Sequence, residues 1–267
     1  MKQLSKEELR GIQMDIMDTI HDFCVSNNIK YSIEGGTLLG AVRHRGYIPW
    51  DDDIDIYMLR EDYQKFEELF PQTYRDHYKL KSIYRDKNWH ANFSKVYDTR
   101  TISFLESRSV SEYGVDIDVI PVDSVPDNRH KWLNFMKYIN FILSIIANKS
   151  RKISRSRTFL TNIAIVFLSI LLLPFSRHNL RMMLEKLIQR HNNKGYLSVY
   201  EVCYGLTLNN PFPRTLFDEL ILWDFEDRKY MGFKDADTYL KLSFGDYLTL
   251  PPEEKRVSHA EVAYWKE

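Results

Sequence analysis

The chain has 267 residues, which is enough for one large domain or two small ones with a sizeable core. Lysine plus arginine and aspartate plus glutamate each number 37, so the net charge is zero and a general nucleic-acid binder, which is normally basic, is disfavoured. Cys24 and Cys203 lack the spacing of a metal or disulfide motif and are expected to be buried residues in a reducing compartment.

The chain begins with a predicted amphipathic helix. Ser5-Lys6-Glu7-Glu8 has the pattern of a capping box, and apolar residues then recur at helical spacing. Residues 5–26 are therefore predicted to form a helix, and a short strand is expected over 29–33.

A glycine turn follows at Gly35-Gly36-Thr37, and a short helix is predicted over 37–42. The bare backbone N–H groups of a Gly-Gly turn suit a phosphate. The helix would point its N-terminus at whatever the turn binds.

Four aspartates fall within five positions after this turn: Asp51, Asp52, Asp53 and Asp55. Residues 53–57 alternate between polar and apolar side chains and predict a strand, on which residues at spacing two share a face. Asp51, Asp53 and Asp55 would converge there, and three carboxylates repel each other unless a cation lies between them. Because Mg²⁺ prefers oxygen ligands, the motif predicts metal-assisted chemistry on a phosphate ester. The alternative is a solvated acidic loop.

A second predicted strand within 113–126 also carries acids. Asp116 and Asp118 alternate with apolar residues and share one face. Acids on two neighbouring strands can bridge two cations about 3.5–4 Å apart and clamp an in-line phosphoryl displacement. An acid on the second strand can also take the proton from an attacking hydroxyl.

The remaining segments of the first half predict one more helix and further strands. The helix is expected over 61–69 and the β-type segments over 78–84, 91–97 and 114–120. This order of elements is typical of an α+β domain with a mixed or antiparallel sheet.

The distribution of charged and apolar residues changes from about residue 130. An uncharged stretch over 138–148 precedes a basic cluster and then a run of 19 residues without a charge, 158–176. The basic cluster consists of Lys149, Arg151, Lys152, Arg155 and Arg157. Three interpretations of the apolar run remain open: shallow insertion at an anionic membrane surface, which we favour, a buried core helix, and a transmembrane span.

Three motifs resemble a known family. GGTLLGAVRHRGYIPWDDDIDI at 35–56 and VDIDVIPVDSVP at 115–126 resemble the LicD family of phosphocholine transferases and are similar to the fukutin-related ribitol-phosphate transferases. LKLSFGDYLTLPPEEKRVSH at 240–259 resembles the ending of the same family.

The resemblance implies a nucleotidyltransferase-like α+β fold, with a mixed sheet flanked by helices and a helical hydrophobic insertion. The expected divisions are a catalytic core (1–130), a membrane-interacting helical insertion (131–180), and a C-terminal helical part that completes the active site (181–267).

The resemblance also implies a role for each acid. Asp53 and Asp55 are the expected metal-binding acids, and Asp51 supports them. Asp118 is the expected third acid and catalytic base, with Asp116 as the second choice. The implied cofactor is Mg²⁺ or Mn²⁺.

Further residues are candidates for substrate binding. They are Gly35, Gly36, Thr37, Arg43, His44, Lys95, Trp50, Tyr47 and His259. The basic side chains would neutralise phosphates of the leaving nucleotide, and the aromatic ones, with Trp89, would form a wall around a quaternary ammonium. The alternatives are exposed loop positions for the basic residues, core packing for the aromatic residues and a structural role for His259.

The implied reaction transfers phosphocholine from CDP-choline to a hydroxyl of a cell-surface glycan precursor, for teichoic acid, lipopolysaccharide or capsule, and releases CMP. A polyprenyl-linked acceptor would place the protein on the cytoplasmic face of the membrane, as a peripheral or monotopic protein. The hydrophobic segment could also mediate an oligomer, and this alternative stays open. The alternatives are transfer from another CDP-linked alcohol, ribitol or glycerol, and a membrane-associated binding protein without turnover.

Overall fold

The computed structural model describes six α-helices and eleven β-strands. The residues described are 1–73, 77–104, 113–149, 174–205, 210–256 and 262–266. The helices are α1 (Lys6–Ser26), α2 (Gly35–His44), α3 (Arg60–Thr73), α4 (Arg129–Asn148), α5 (Arg177–Ile188) and α6 (Ala236–Phe244). The strands are β1 (Ser32–Ile33), β2 (Asp55–Leu59), β3 (Tyr78–Lys81), β4 (Ser94–Asp98), β5 (Thr101–Phe104), β6 (Asp116–Val125), β7 (Ser198–Tyr200), β8 (Phe212–Pro213), β9 (Leu220–Phe225), β10 (Arg228–Phe233) and β11 (Val262–Trp265).

A mixed sheet of seven strands organises the fold, as the α+β prediction requires. Its main order is β1-β2-β6-β4-β3, and β7 extends it by pairing with β6 and β8. Strands β2 and β6 run parallel, whereas the other neighbours are antiparallel. The long strand β6 therefore has β2 on one side and β4 on the other, which places its acids at the centre of the sheet. Two separate two-stranded sheets lie outside it: the hairpin β9–β10, and the pair of β5 with the C-terminal strand β11.

The predicted first helix is confirmed. The Ser5 hydroxyl accepts the N–H of Glu8, and the Glu8 carboxylate accepts the N–H of Ser5, so both halves of the capping box are present. Ile16, Met17 and Ile20 on the inner face are fully buried in the core that α1 shares with the sheet.

The predicted strand over 53–57 begins only at Asp55, so the expectation that Asp51 and Asp53 share a strand face with it is wrong. Side chains of α1 bond the preceding backbone instead: Arg10 donates to the carbonyl oxygen of Asp51, and Gln13 donates to that of Asp52. These carbonyl oxygens thus accept hydrogen bonds without a neighbouring strand, and Asp51 and Asp52 lie in a loop against the helix.

Helix α4 carries the uncharged stretch 138–148 and packs Met136, Ile139 and Ile146 into the main core. Residues from all three predicted divisions of the chain contribute to that core. The basic cluster beyond Lys149 and nearly all of the apolar run lie outside the described residues. Over the part of the chain that the structure covers, helices are too short or too polar to cross a membrane.

Candidate active site

The glycine turn and the first acid-bearing strand are bonded to each other. Helix α2 starts at Gly35, whose φ of +48° lies in the left-handed region that glycine adopts readily. The N–H of Glu34 donates to the carbonyl oxygen of Asp55 at 3.1 Å, and the N–H of Asp55 donates to the Thr37 hydroxyl at 3.0 Å. The N-terminus of α2 is therefore held beside the start of β2, where an anion would meet the helix dipole.

Asp51 lies directly over the second glycine of the turn. A Cβ atom built on Gly36 would come within 2.5 Å of the Asp51 carboxylate oxygen Oδ2, so only glycine lets the acid approach this closely. The loop that carries Asp51 is held from behind, because Arg10 donates to its carbonyl oxygen at 2.8 Å and Gln13 donates to that of Asp52 at 2.7 Å. Helix α1 thus fixes the position of the acidic loop.

The two acid-bearing strands bring Asp55 and Asp118 side by side. These residues are register partners in the parallel pair β2–β6, and Lys95 on β4 is the partner of Asp118 on its other side. The Lys95 ammonium donates to Asp116 at 2.6 Å and forms an ion pair with Asp118. The structure therefore brings together the predicted acids of both strands and the predicted lysine.

Burial, followed by neighbouring negative charge, raises the pKa of several of these acids. Desolvation and the charge of Asp51 raise the pKa of Asp53 to about 7, although the residue reaches the surface. Burial, followed by the charges of Asp53 and Asp118, raises the pKa of Asp55 well above its usual value. Burial also raises the pKa of Asp116 to about 6 against the opposing effect of Lys95. Even with Lys95 present, the group carries more negative charge than its surroundings stabilise.

Glu34 is a buried acid that the sequence analysis missed. Its carboxylate accepts a hydrogen bond from the Tyr239 hydroxyl at 2.9 Å, and the Tyr239 oxygen in turn accepts the N–H of Gly35 at 3.2 Å. Burial and the charge of Glu201 raise the pKa of Glu34 to about 8. Its position immediately before the Gly-Gly turn was the available signal, but the partner tyrosine lies some 200 residues away in the chain.

The C-terminal motif packs against the far end of α2. The Arg43 guanidinium donates to the carbonyl oxygen of Tyr247 at 2.8 Å and to the His44 ring at 2.9 Å. Arg256 lies over the Trp50 ring, 5.3 Å from its centroid. Burial, and then the charge of Arg256, lowers the pKa of Arg43. A cluster of basic and aromatic groups therefore forms at this end, whereas His259 lies outside the described residues.

The three predicted aromatic residues do not form a common wall. Tyr47 is buried and donates its hydroxyl hydrogen to Gln13, and Trp89 is buried and donates to the carbonyl oxygen of Phe93. Only Trp50 of the three is partly exposed. A different ring stands near the acids: Tyr204 is 43% exposed, and burial and the charge of Asp118 raise the pKa of its hydroxyl.

The donor set suits a hard divalent cation, because it consists of carboxylate oxygens that repel one another. One oxygen of Asp116, Oδ2, is buried and has no hydrogen-bond partner among the described residues. Within the same residues, no three acidic, histidine or cysteine side chains already enclose a metal position. The shared charge of Asp53, Asp55 and Asp118, rather than a preformed cage, is therefore the feature that fits a cation.

Comparisons with known proteins identify the family. The family described as LicD/FKTN/FKRP, nucleotidyltransferase domain, matches residues 28–159. The lipopolysaccharide cholinephosphotransferase LicD of Haemophilus influenzae is 30% identical over 269 residues, which cover 99% of this chain and 99% of that protein. An uncharacterized protein of Rickettsia typhi is 50% identical over 79 residues, 30% of this chain and 25% of that protein. The human ribitol 5-phosphate transferase FKRP is 49% identical over 41 residues, 15% of this chain and 8% of that protein.

The full-length similarity confirms the predicted family and the prediction of an enzyme, because the relative is named a cholinephosphotransferase and the match covers 99% of each chain. The chain belongs to the LicD family and is a phosphotransferase.

Proposed function

We propose that this enzyme moves phosphocholine from CDP-choline to a hydroxyl group of a cell-surface glycan precursor and releases CMP. The observation that carries the proposal is the pairing of Asp55 with Asp118 beside the glycine-initiated helix α2. The chain is also similar over its whole length to a lipopolysaccharide cholinephosphotransferase. Paired carboxylates next to a helix N-terminus suit a phosphate ester that is held and attacked in line.

The proposed cofactor is Mg²⁺ or Mn²⁺, held by carboxylate oxygens of Asp53, Asp55 and Asp118 with support from Asp51. When bound, the cation would neutralise negative charge on the diphosphate of the donor. The raised pKa values of Asp53 and Asp55 support this assignment, since a cation would offset both the desolvation of these carboxylates and the repulsion from their acidic neighbours.

The proposed reaction is a single displacement at phosphorus. The acceptor oxygen forms a bond to the phosphorus atom that bears choline, the bond from that phosphorus to the bridging oxygen of the diphosphate breaks, and CMP leaves. The hydroxyl proton passes to the carboxylate of Asp118, with Asp116 as the second candidate. Lys95, which contacts both acids, orients them and adds positive charge beside the transferred group.

The two ends of α2 suit two parts of the donor. The N-terminal glycines face the acids and would bind oxygens of the diphosphate, while Arg43, His44 and Arg256 lie about 14 Å away at the other end and would contact the cytidine portion. The exposed ring of Tyr204 would offer a face to the choline ammonium.

Another CDP-linked alcohol, ribitol or glycerol, is the second candidate donor. The observation in its favour is the local 49% identity to ribitol 5-phosphate transferase FKRP. The match covers only 15% of this chain, whereas the cholinephosphotransferase aligns along 99% of it, so phosphocholine is the better supported group.

The proposed site of action is the cytoplasmic face of the cell membrane. The basic cluster that starts at Lys149 and the apolar run 158–176 support it, because such a pair suits an anionic lipid surface and a polyprenyl-linked glycan. Flotation of the protein with phosphatidylglycerol vesicles checks this part, and recovery of all protein in the vesicle-free fraction would contradict it.

The donor is tested by measuring CMP release from CDP-choline, CDP-ribitol and CDP-glycerol, with a membrane fraction that contains glycan precursors as acceptor. Asp55→Asn provides the background rate. We expect CDP-choline to be turned over fastest and its phosphocholine to appear on the glycan. If CDP-ribitol or CDP-glycerol is turned over and CDP-choline is not, the second candidate is established. If no donor releases CMP, the proposal is refuted.

A further inference from the structure

A cavity of about 710 Å³ lies between the β3–β4 connection and the start of α5, apart from the acids. Its described lining contains five basic side chains and no acidic one: Lys87, His90, Arg177, His178 and Arg181. A volume of this size is ordinary for a small-molecule site. The sequence analysis did not single out any of these residues.

The positive charge in this cavity is not neutralised by the described part of the protein. Arg181 is half-buried, and burial followed by the charge of Arg177 lowers its pKa. Its guanidinium donates to the side-chain oxygen of Asn92 at 3.0 Å, and the Asn92 amide nitrogen donates to Glu185 at 2.8 Å. Glu185 itself forms an ion pair with Arg60. The Glu185 carboxylate is therefore already paired, and Arg181 is linked to it only through the Asn92 amide.

Neighbouring cations also affect the His90 ring. Burial, and then the charges of Arg181 and Lys95, lowers the pKa of the His90 ring. The cavity also lies at the N-terminus of α5, a helix of 12 residues capped by Ser176, whose dipole adds positive potential there. Lysine and arginine side chains, a histidine with a lowered pKa and a helix N-terminus around one cavity together favour an anionic ligand.

Aromatic contacts connect the cavity wall to the catalytic acids. Trp89 lines the cavity and packs edge-on against Tyr113, with ring centroids 5.6 Å apart. The Lys95 ammonium lies 5.6 Å from the centroid of the same Tyr113 ring and pairs with Asp118. In the sheet order, β4 with Lys95 lies on one side of β6, whereas β2 and the glycine helix lie on the other. The cavity is therefore linked to the proposed base through Trp89, Tyr113 and Lys95, from the side of β6 that carries β4 and not β2.

We propose that this cavity binds an anionic group, a phosphate or diphosphate, of the acceptor substrate. The assignment to the acceptor rests on the proposed function, since it takes the glycine helix to hold the donor. The binding of an anion rests only on the cavity and its charges.

The test uses inorganic pyrophosphate, titrated calorimetrically into the full chain in EDTA. The variant combines Lys87→Gln with Arg177→Gln, two exposed cations that have no hydrogen-bond or ion-pair partner among the described residues. The matched control is Lys186→Gln, an exposed lysine of α5 outside the cavity lining. A hydrogen bond to a charged group contributes about 1.5–3 kcal/mol, so we expect pyrophosphate binding to weaken by roughly tenfold or more in the double variant and to stay unchanged in the control. Equal affinity of the wild type and the double variant would overturn the proposal.

Two further titrations distinguish the source of the anion. Cytidine diphosphate is expected to bind the wild type and the double variant equally, and a parallel loss of its affinity would assign the cavity to the donor and overturn the proposal. Phosphatidylglycerol vesicles are the other probe. If the double variant loses vesicle binding and keeps pyrophosphate binding, the cations bind a lipid surface and the proposal is overturned. If no CDP-linked donor is turned over, the proposed function fails, and the pyrophosphate titration still decides whether the cavity binds an anion.

Discussion

Asp55 and Asp118 are direct partners in the parallel pair β2–β6, so the first acid of one strand lies beside the second acid of the next. Lys95 completes the row from β4. The Asp55 backbone is bonded to Thr37 of the glycine helix, whereas the Asp118 carboxylate pairs with the lysine, and we assign different roles to the two acids.

Asp118→Asn is expected to reduce transfer more than Asp116→Asn. A positioned general base contributes about 10²–10⁴-fold to a rate, and Asp118, the partner of Asp55, is the better placed of the two acids. The measurement is kcat for CMP release by each purified variant. A larger loss of kcat for Asp116→Asn would assign the role of catalytic base to Asp116 and not to Asp118.

Gly36→Ala is expected to lower transfer by up to about 10²-fold while the protein still folds, because the new Cβ would meet the Asp51 carboxylate at 2.5 Å and displace it. The matched control is Gly11→Ala, where a Cβ has no neighbour within 4 Å and helix propensity improves by about 1 kcal/mol. Rates and thermal unfolding are measured for both. A fully active Gly36→Ala would show that the position of Asp51 is unimportant.

Gln13→Leu tests whether helix α1 positions the acidic loop. Gln13 is 2% exposed, donates to the carbonyl oxygen of Asp52 and accepts from the Tyr47 hydroxyl. Its loss is expected to cost about 1–3 kcal/mol of stability and to raise the Mg²⁺ concentration needed for half-maximal rate. Gln64→Leu, at an exposed position of α3, serves as the control. An unchanged Mg²⁺ requirement in Gln13→Leu would leave Gln13 with a purely structural role.

A buried ion network joins α5 to the sheet. Arg60 donates to both carboxylate oxygens of Asp123, at 2.8 and 2.6 Å, and pairs with Glu185. Asp123→Ala is expected to destabilise the protein by about 3–5 kcal/mol in urea unfolding, because it leaves the Arg60 charge buried with half of its partners. Glu61→Ala removes an exposed ion pair and is expected to cost less than about 1 kcal/mol. Similar losses of unfolding free energy in the two variants would show that the buried network does not stabilise the protein more than the exposed ion pair does.

Local patterns predicted the parts of the fold whose bonds are local. The capping box of α1 and the alternation of acids on β6 both have the predicted form, since each depends on neighbours within a few residues. The mixed sheet followed from the order of the elements. The family resemblance placed the C-terminal motif at the site, and the contact of Arg43 with Tyr247 agrees with it.

The parts that sequence could not predict depend on contacts between distant segments. Asp51 and Asp53 lie in a loop because Arg10 and Gln13, about 40 residues earlier, bond its carbonyl groups. Glu34 accepts a hydrogen bond from the Tyr239 hydroxyl, and no short motif connects the two residues. The basic cavity likewise combines residues about 90 positions apart, as the bond between Arg181 and Asn92 shows.

The central claim is that Asp55 and its neighbours perform metal-dependent phosphoryl transfer, and the most direct test is CMP release from CDP-choline during a Mg²⁺ titration. Wild type, Asp55→Asn and the matched Asp52→Asn are compared after treatment with EDTA. We expect Mg²⁺ to restore release in the wild type and in Asp52→Asn but not in Asp55→Asn. Full activity in excess EDTA, or a wild-type rate in Asp55→Asn, would contradict the claim.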